Sequence, residues 1–201
     1  MKSVSEFAKS YITELKTVLD RLSLAEVERV VQAFDAAHAT GKQIFVIGNG
    51  GSAATASHMM NDLNKGTLGH NPDKEGSSGW KRFRVIALTD NVSLMTAWAN
   101  DAEYNSIFAE PLKNLANAGD LLVAISASGN SPNIIAAVET AKQLGVKVVG
   151  LAGFGGGKLA KLADVAVVVP SNDYGAVEDV HMILDHIITS YFYEKFRQSK
   201  S

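Results

Sequence analysis

From Gln43 onward, short apolar runs alternate with helical patterns, and that alternation leaves few folds open to the chain. The runs Gln43–Ile47, Arg84–Leu88, Leu121–Ile125, Val146–Leu151 and Val165–Val169 have the length and branched content of strands. Between them, Ala53–Leu63, Tyr104–Ala116, Pro132–Gln143 and Lys158–Ala163 read as helices. Strands that are apolar throughout, without polar alternation, need cover on both faces. The expected fold is therefore α/β, a three-layer αβα sandwich around a central five-stranded parallel sheet.

Two helical patterns precede the first strand, within residues 1–41. Phe7, Ile12, Leu15, Val18, Leu19 and Leu22 recur at helical spacing, as do Val27, Val30, Val31 and Phe34. Ser23 followed by Glu26 reads as a capping box that starts the second helix, and Gly41 stops it. This lead exceeds what a βαβ core needs, so it is either an oligomerisation element or a lid on the sheet. The final pattern, Val177–Phe196, is apolar around much of its circumference, as in a helix that is buried or packed on another subunit. Gly66–Lys81 is polar and rich in Gly, Ser, Asn and Asp, and reads as a mobile loop placed to cover a site. His38 reads as an ordinary surface residue.

Composition narrows the function classes. The 201 residues read as one domain, with residues 1–41 as its packing element. A formal net charge of -2 gives no electrostatic footprint for nucleic acid. The chain has no cysteine, which removes thiol catalysis and Cys-ligated metals. No stretch approaches 18 apolar residues, and no signal-peptide core opens the chain, so a cytoplasmic protein with no membrane association is expected.

Two strand-to-helix junctions look like anion sites. Gly48-Asn49-Gly50-Gly51-Ser52 follows the first strand. Its glycines let a ligand approach the main chain, and the helix start offers free N–H groups. The dinucleotide pattern G-x-G-x-x-G fails because its last position is Ala53, and no Gly-Lys-Ser/Thr follows. A small phosphate or sugar site, or a structural turn, remains. The second junction, Ser126-Ala127-Ser128-Gly129-Asn130-Ser131, precedes Pro132 at the first helical position, with Ser131 as cap. Ser126, Ser128 and Ser131 can donate to phosphate oxygens, and the loop has no Lys or Arg. Neutral donors suit a monoester rather than a triphosphate with magnesium. Both junctions lie at carboxyl ends of parallel strands and can border one crevice.

Polar residues on two helices form a third candidate. His58 and Asp62 are four residues apart on one face. Glu178 and His186 are eight apart, about 80° of residual rotation, with His181 and Asp185 between them. A divalent metal or acid–base site, surface decoration and buried hydrogen bonding all fit this spacing. Nitrogen and oxygen ligands of this kind suit a zinc-like ion.

Together, Gly48–Ser52 with His58 and Asp62, Ser126–Ser131, and Glu178-Asp179-Val180-His181 with His186 resemble the sugar isomerase (SIS) domain family, and within it the phosphoheptose isomerases. The resemblance implies an αβα sandwich assembled as a homotetramer, with sites at subunit interfaces. It implies a small sugar phosphate as substrate: Ser52, Ser126, Ser128 and Ser131 on the phosphate, Asn49 beside the sugar, and Gly50, Gly129 and Asn130 in the same loops. The activity implied is ketose–aldose isomerisation through an enediol, as between sedoheptulose 7-phosphate and D-glycero-D-manno-heptose 7-phosphate. Asp62 and His186 would be the proton-transfer pair, and His58, Asp62, Glu178 and His186 the ligands of a divalent ion, zinc by expectation. The alternative is a non-catalytic SIS protein that binds a phosphosugar or another protein. The chain departs from the family pattern at Asp62, where the family has Glu, at Glu178, where it has Gln, and at Ala127, where it has Thr.

Overall fold

The computed structural model describes residues 2–199. Two helices, α1 (Val4–Asp20) and α2 (Leu24–Ala39), lead into β1 (Ile44–Ile47), α3 (Gly51–Asn64) and β2 (Val85–Ala87). There follow α4 (Val92–Asp101), α5 (Ser106–Leu115), β3 (Leu121–Ser126), α6 (Pro132–Gln143) and β4 (Lys147–Ala152). The chain then forms α7 (Gly157–Leu162), β5 (Val165–Val168) and α8 (Tyr174–Gln198). All pairings are parallel, in the order β2-β1-β3-β4-β5. The expected sandwich with its five-stranded parallel sheet is what the chain forms.

Strand residues divide between two cores with period two, as pleating requires. Ile44, Val46, Leu121, Val123, Ile125, Val149 and Leu151 face α2, α3 and α8. Phe45, Ile47, Leu122, Ala124 and Val148 face α5 and α6. Burial on both faces explains why no polar alternation marks the strands. Chain order and sheet order part company at β1, whose neighbours are β2 on one side and β3 on the other. Such a reversal opens a crevice at the strands' carboxyl ends.

The two leading helices differ in role. Val27, Val30, Phe34 and Ala37 of α2 pack into the core, so α2 covers the sheet. In α1 only Val18 is buried, and Val4, Phe7 and Ile12 stand exposed. Ser3 and Glu6 form a capping box at the start of α1, which spacing analysis missed. At Ser23 only half of the expected box forms, the Ser23 hydroxyl accepting from Glu26 N.

Three expectations need correcting. Residues 92–101 form α4, which the periodicity left unassigned because none of its residues is fully buried. His38 is not an ordinary surface residue. Its ring sits between Phe83 and Phe196, at 4.5 and 4.7 Å between centroids, and its Nε2 lies 3.1 Å from the Lys81 carbonyl oxygen. The segment Gly66–Lys81 does not cover the serine loops. It packs along the C-terminal half of α8, where Tyr193 donates to Glu75 and Trp80 meets Phe196 edge-on.

Helix α8 buries Val177, Val180, Leu184, Ile188 and Phe192, and with them His181, which is wholly inaccessible. Burial pushes the His181 imidazole down to about 4, opposed by the Ala152 main chain. Neither ring nitrogen makes a hydrogen bond of normal geometry. A neutral buried imidazole stabilises the fold fully above the ordinary pKa of 6.5, and loses that contribution as pH falls toward about 4, because the unfolded chain takes the proton first. Replacing His181 by Leu should therefore raise stability relative to wild type on acidification, by on the order of 2 kcal/mol between pH 7 and pH 5. Urea denaturation at both pH values reads this difference, and identical pH dependence in the two proteins would refute it.

Candidate active site

Two neighbouring strands deliver the two loops that the sequence singled out. β1 pairs with β3 from Ile44↔Leu121 to Ile47↔Ala124, so Gly48–Ser52 and Ser126–Ser131 leave the sheet side by side. Gly50 takes a φ of 53°, a conformation that favours glycine, and α3 begins at the next residue. At Gly48, any Cβ would run into the Ser52 carbonyl, so the loop closes on the first turn of α3 only without a side chain there. Gly129 has a φ of 63°, and a Cβ on it would strike the Gly156 main chain.

Between the loops lies a cavity of about 140 Å³ lined by Asn49, Ser52, Ser126, Ser128, Ser131, Tyr174 and Glu178, among others. That is room enough for a phosphate group. Ser131 stands at the N-cap of α6 yet its hydroxyl makes no capping bond. It lies instead 3.2 Å from the Ser126 hydroxyl. Both hydroxyls thus remain available to a ligand, against the reading of a loop that merely caps a helix. No Lys or Arg lines the cavity.

The two asparagines of the loops are committed elsewhere. Asn49 and Asn133 clasp each other through reciprocal amide bonds of 2.9 and 2.8 Å, tying the first loop to α6. Asn130 accepts from Lys158 N at 3.0 Å and donates to the Ser128 carbonyl oxygen at 2.9 Å, bracing its own loop against the start of α7. Asn130 therefore supports the cavity wall rather than lining it. Asn133 and Tyr174 were not singled out from sequence, because neither belongs to a glycine–serine pattern.

Farther down α3 a second group forms. His58, Asp62, Asp185 and His186 each offer one ligand atom, all within 4.8 Å of one another. His58 Nε2 lies 3.3 Å from Asp62 Oδ2 and 3.3 Å from His186 Nε2. His186 Nε2 to Asp62 Oδ2 and His58 Nε2 to Asp185 Oδ2 are each 4.0 Å. Tetrahedral bonds of 2.0–2.2 Å to zinc imply ligand separations of about 3.3–3.6 Å; the two 3.3 Å pairs match, the two 4.0 Å pairs are wider, and the nitrogen and oxygen donors suit a divalent ion. Asp185 Oδ2 is buried without a hydrogen-bond partner, as expected of a ligand atom. Burial, reinforced by the nearby Asp62 charge and opposed by the Thr189 hydroxyl, raises the Asp185 carboxyl to about 7.

Glu178, eight residues before His186 on α8, stands apart from this group within the chain. The Glu178 carboxylate lies instead against Gly51, so tightly that a Cβ there would displace it, and faces the serine cavity.

The model of the SIS domain matches residues 7–153. A phosphoheptose isomerase of Aliarcobacter butzleri is 42% identical over 148 residues, 74% of each chain. One from Mycobacterium tuberculosis is 35% identical over 185 residues, 92% of this chain and 90% of that protein. Among solved structures, the phosphoheptose isomerase GmhA of Neisseria gonorrhoeae superposes with a TM-score of 0.84 at 26% identity, covering 94% of this chain and 98% of its own. That of Francisella tularensis also gives 0.84, at 28% identity, covering 96% and 100%. The serine cavity, the His/Asp group and these likenesses agree: the chain belongs to the SIS domain family and stands among its phosphoheptose isomerases.

Proposed function

We propose that this isomerase interconverts the ketose and aldose forms of a seven-carbon sugar phosphate, sedoheptulose 7-phosphate and D-glycero-D-manno-heptose 7-phosphate. The observation that carries the reading is the placement of a serine cavity and a His/Asp group along the same pair of helices, α3 and α8. A linear sugar with phosphate at one end and carbonyl at the other matches that division.

Ser52, Ser126, Ser128 and Ser131 hold the phosphate with neutral hydroxyls, assisted by the N-termini of α3 and α6. Starting from the ketose, Asp62 removes a proton from C1, and protonation of the C2 oxygen gives the enediol. Return of a proton to C2, with loss of the O1 proton, then gives the aldehyde. His186, half-exposed beside Asp62, exchanges the oxygen-bound protons. His58, Asp62 and His186 would hold a divalent ion, zinc best matching the donors, which when bound polarises the substrate oxygens. Among the described residues no helix is long and apolar enough to cross a membrane, in keeping with a cytoplasmic enzyme. The exposed Val4, Phe7 and Ile12 of α1, with Ile187 and Tyr191 of α8, favour burial in a homotetramer.

Four measurements test this reading. Purified protein given a panel of five- to seven-carbon sugar phosphates should turn over the seven-carbon ketose, with turnover lost on chelation and restored by zinc. Asp62→Asn and His186→Gln should each lower turnover by about 100-fold or more while phosphate binding persists, and full turnover by either would end its catalytic assignment. Ser128→Ala should weaken sugar-phosphate affinity by about 10- to 150-fold, the loss of one charge-assisted hydrogen bond. Light scattering should report a tetramer, and a stable monomer would count against shared sites.

A further inference from the structure

On the reading that Asn49 lies beside the sugar, we infer that Tyr104 is a positioning residue for this reaction, its hydroxyl orienting the Asn49 amide so that one N–H stays free for the substrate. Tyr104 belongs to neither glycine–serine loop. It stands in the connection between α4 and α5, 55 residues along the chain from Asn49, and most of its ring is open to solvent. Its hydroxyl nevertheless lies 3.2 Å from Asn49 Oδ1. The backbone that carries it is well anchored. Ser106 N donates to the Glu103 carbonyl oxygen at 2.9 Å, and Ile107 and Phe108, next along α5, are fully buried in the second core.

Counting donors and acceptors shows what the contact does. An asparagine amide has two N–H donors, and its oxygen accepts twice. Asn49 Oδ1 accepts from the Tyr104 hydroxyl and from Asn133 Nδ2, at 3.2 and 2.8 Å, which fills it. Asn49 Nδ2 donates to Asn133 Oδ1 at 2.9 Å, which leaves one N–H. Asn49 lines the serine cavity, so this N–H is what its side chain can offer a ligand there.

Asn133 alone does not decide the matter. The clasp is reciprocal, and turning both amides over preserves its two bonds. In the turned arrangement Asn49 would bring an oxygen lone pair to the cavity in place of a proton. Tyr104 breaks that symmetry, because a phenol hydroxyl donates more readily than it accepts. With its proton on Asn49 Oδ1, the side left open is the donor side. Four serine hydroxyls already serve the phosphate, so the Asn49 N–H goes to an oxygen of the sugar.

The test is steady-state kinetics on the seven-carbon ketose phosphate, with inorganic phosphate as competing inhibitor, in wild type, Tyr104→Phe, Asn49→Ala and the double variant. Tyr104→Phe should raise KM by about 2- to 10-fold, the worth of one neutral hydrogen bond, while kcat and the inhibition constant of phosphate stay near wild type. Because Tyr104 acts through Asn49, the same change made in Asn49→Ala should add nothing, a coupling that independent sites do not show. An unchanged KM, a parallel loss of phosphate affinity, or additive effects in the double variant overturn the assignment. Should Asn49→Ala fail to fold, Tyr104→Phe decides alone, through a raised KM with phosphate inhibition intact. A wild type without turnover fails the isomerase reading and not this one, because calorimetry with the same two ligands reads their affinities directly.

Discussion

Every feature at the carboxyl edge of the sheet depends on β1 and β3 pairing in one register. The buried Asp120 carboxylate secures that pairing from below, accepting from Gln43 N at 2.9 Å and from Asn117 N at 2.8 Å. Leu121 N completes the join by donating to the Gln43 carbonyl oxygen at 2.9 Å. A slip of one residue would send each inward side chain to the opposite face of a sheet buried on both sides. The two loops above would then leave at different heights, and the serine cavity would not close. A carboxylate at the amino edge thereby sets the shape of a site at the carboxyl edge.

The cavity is built before any ligand arrives. The Asn49–Asn133 clasp ties the first loop to α6, and Asn130 ties the second to the start of α7. Loops held in this way have little ordering entropy left to lose on binding. The absence of lysine or arginine from the lining fits such a site, since fixed neutral donors and helix ends supply what a mobile cation would otherwise bring. The His/Asp group is held differently, by the packing of α3 against α8, and one of its members is wholly buried.

The sheet, most helices and both glycine–serine loops were legible in the sequence because each depends on contiguous residues. Apolar runs mark buried strands, and Gly48–Ser52 and Ser126–Ser131 carry their own turn chemistry. α4 was not legible, because Met95, Trp98 and Ala99 pack only partly against the core and leave no clean stripe. Asp185 stood in view between Glu178 and His186, but spacing along α8 cannot say which turn of α3 it will meet. That depends on the offset between two helices separated by more than a hundred residues. The same offset sets the Glu178 carboxylate beside Gly51 and the serine cavity. His38 was misjudged for a related reason: its companions Phe83 and Phe196 lie far away in the chain.

The contacts between α3 and α8 also restrict how this enzyme can diverge. Substitutions along the stripe from Glu178 to Asp185 change one contact at a time. Deleting a single residue within it would rotate everything beyond by 100° and draw it 1.5 Å along the axis. Asp185 would leave its buried seat and His186 would turn from His58, while the serine cavity above stayed whole. The length of α8 is therefore under tighter constraint than its composition, because one helical deletion parts the His/Asp group and leaves the serine cavity intact.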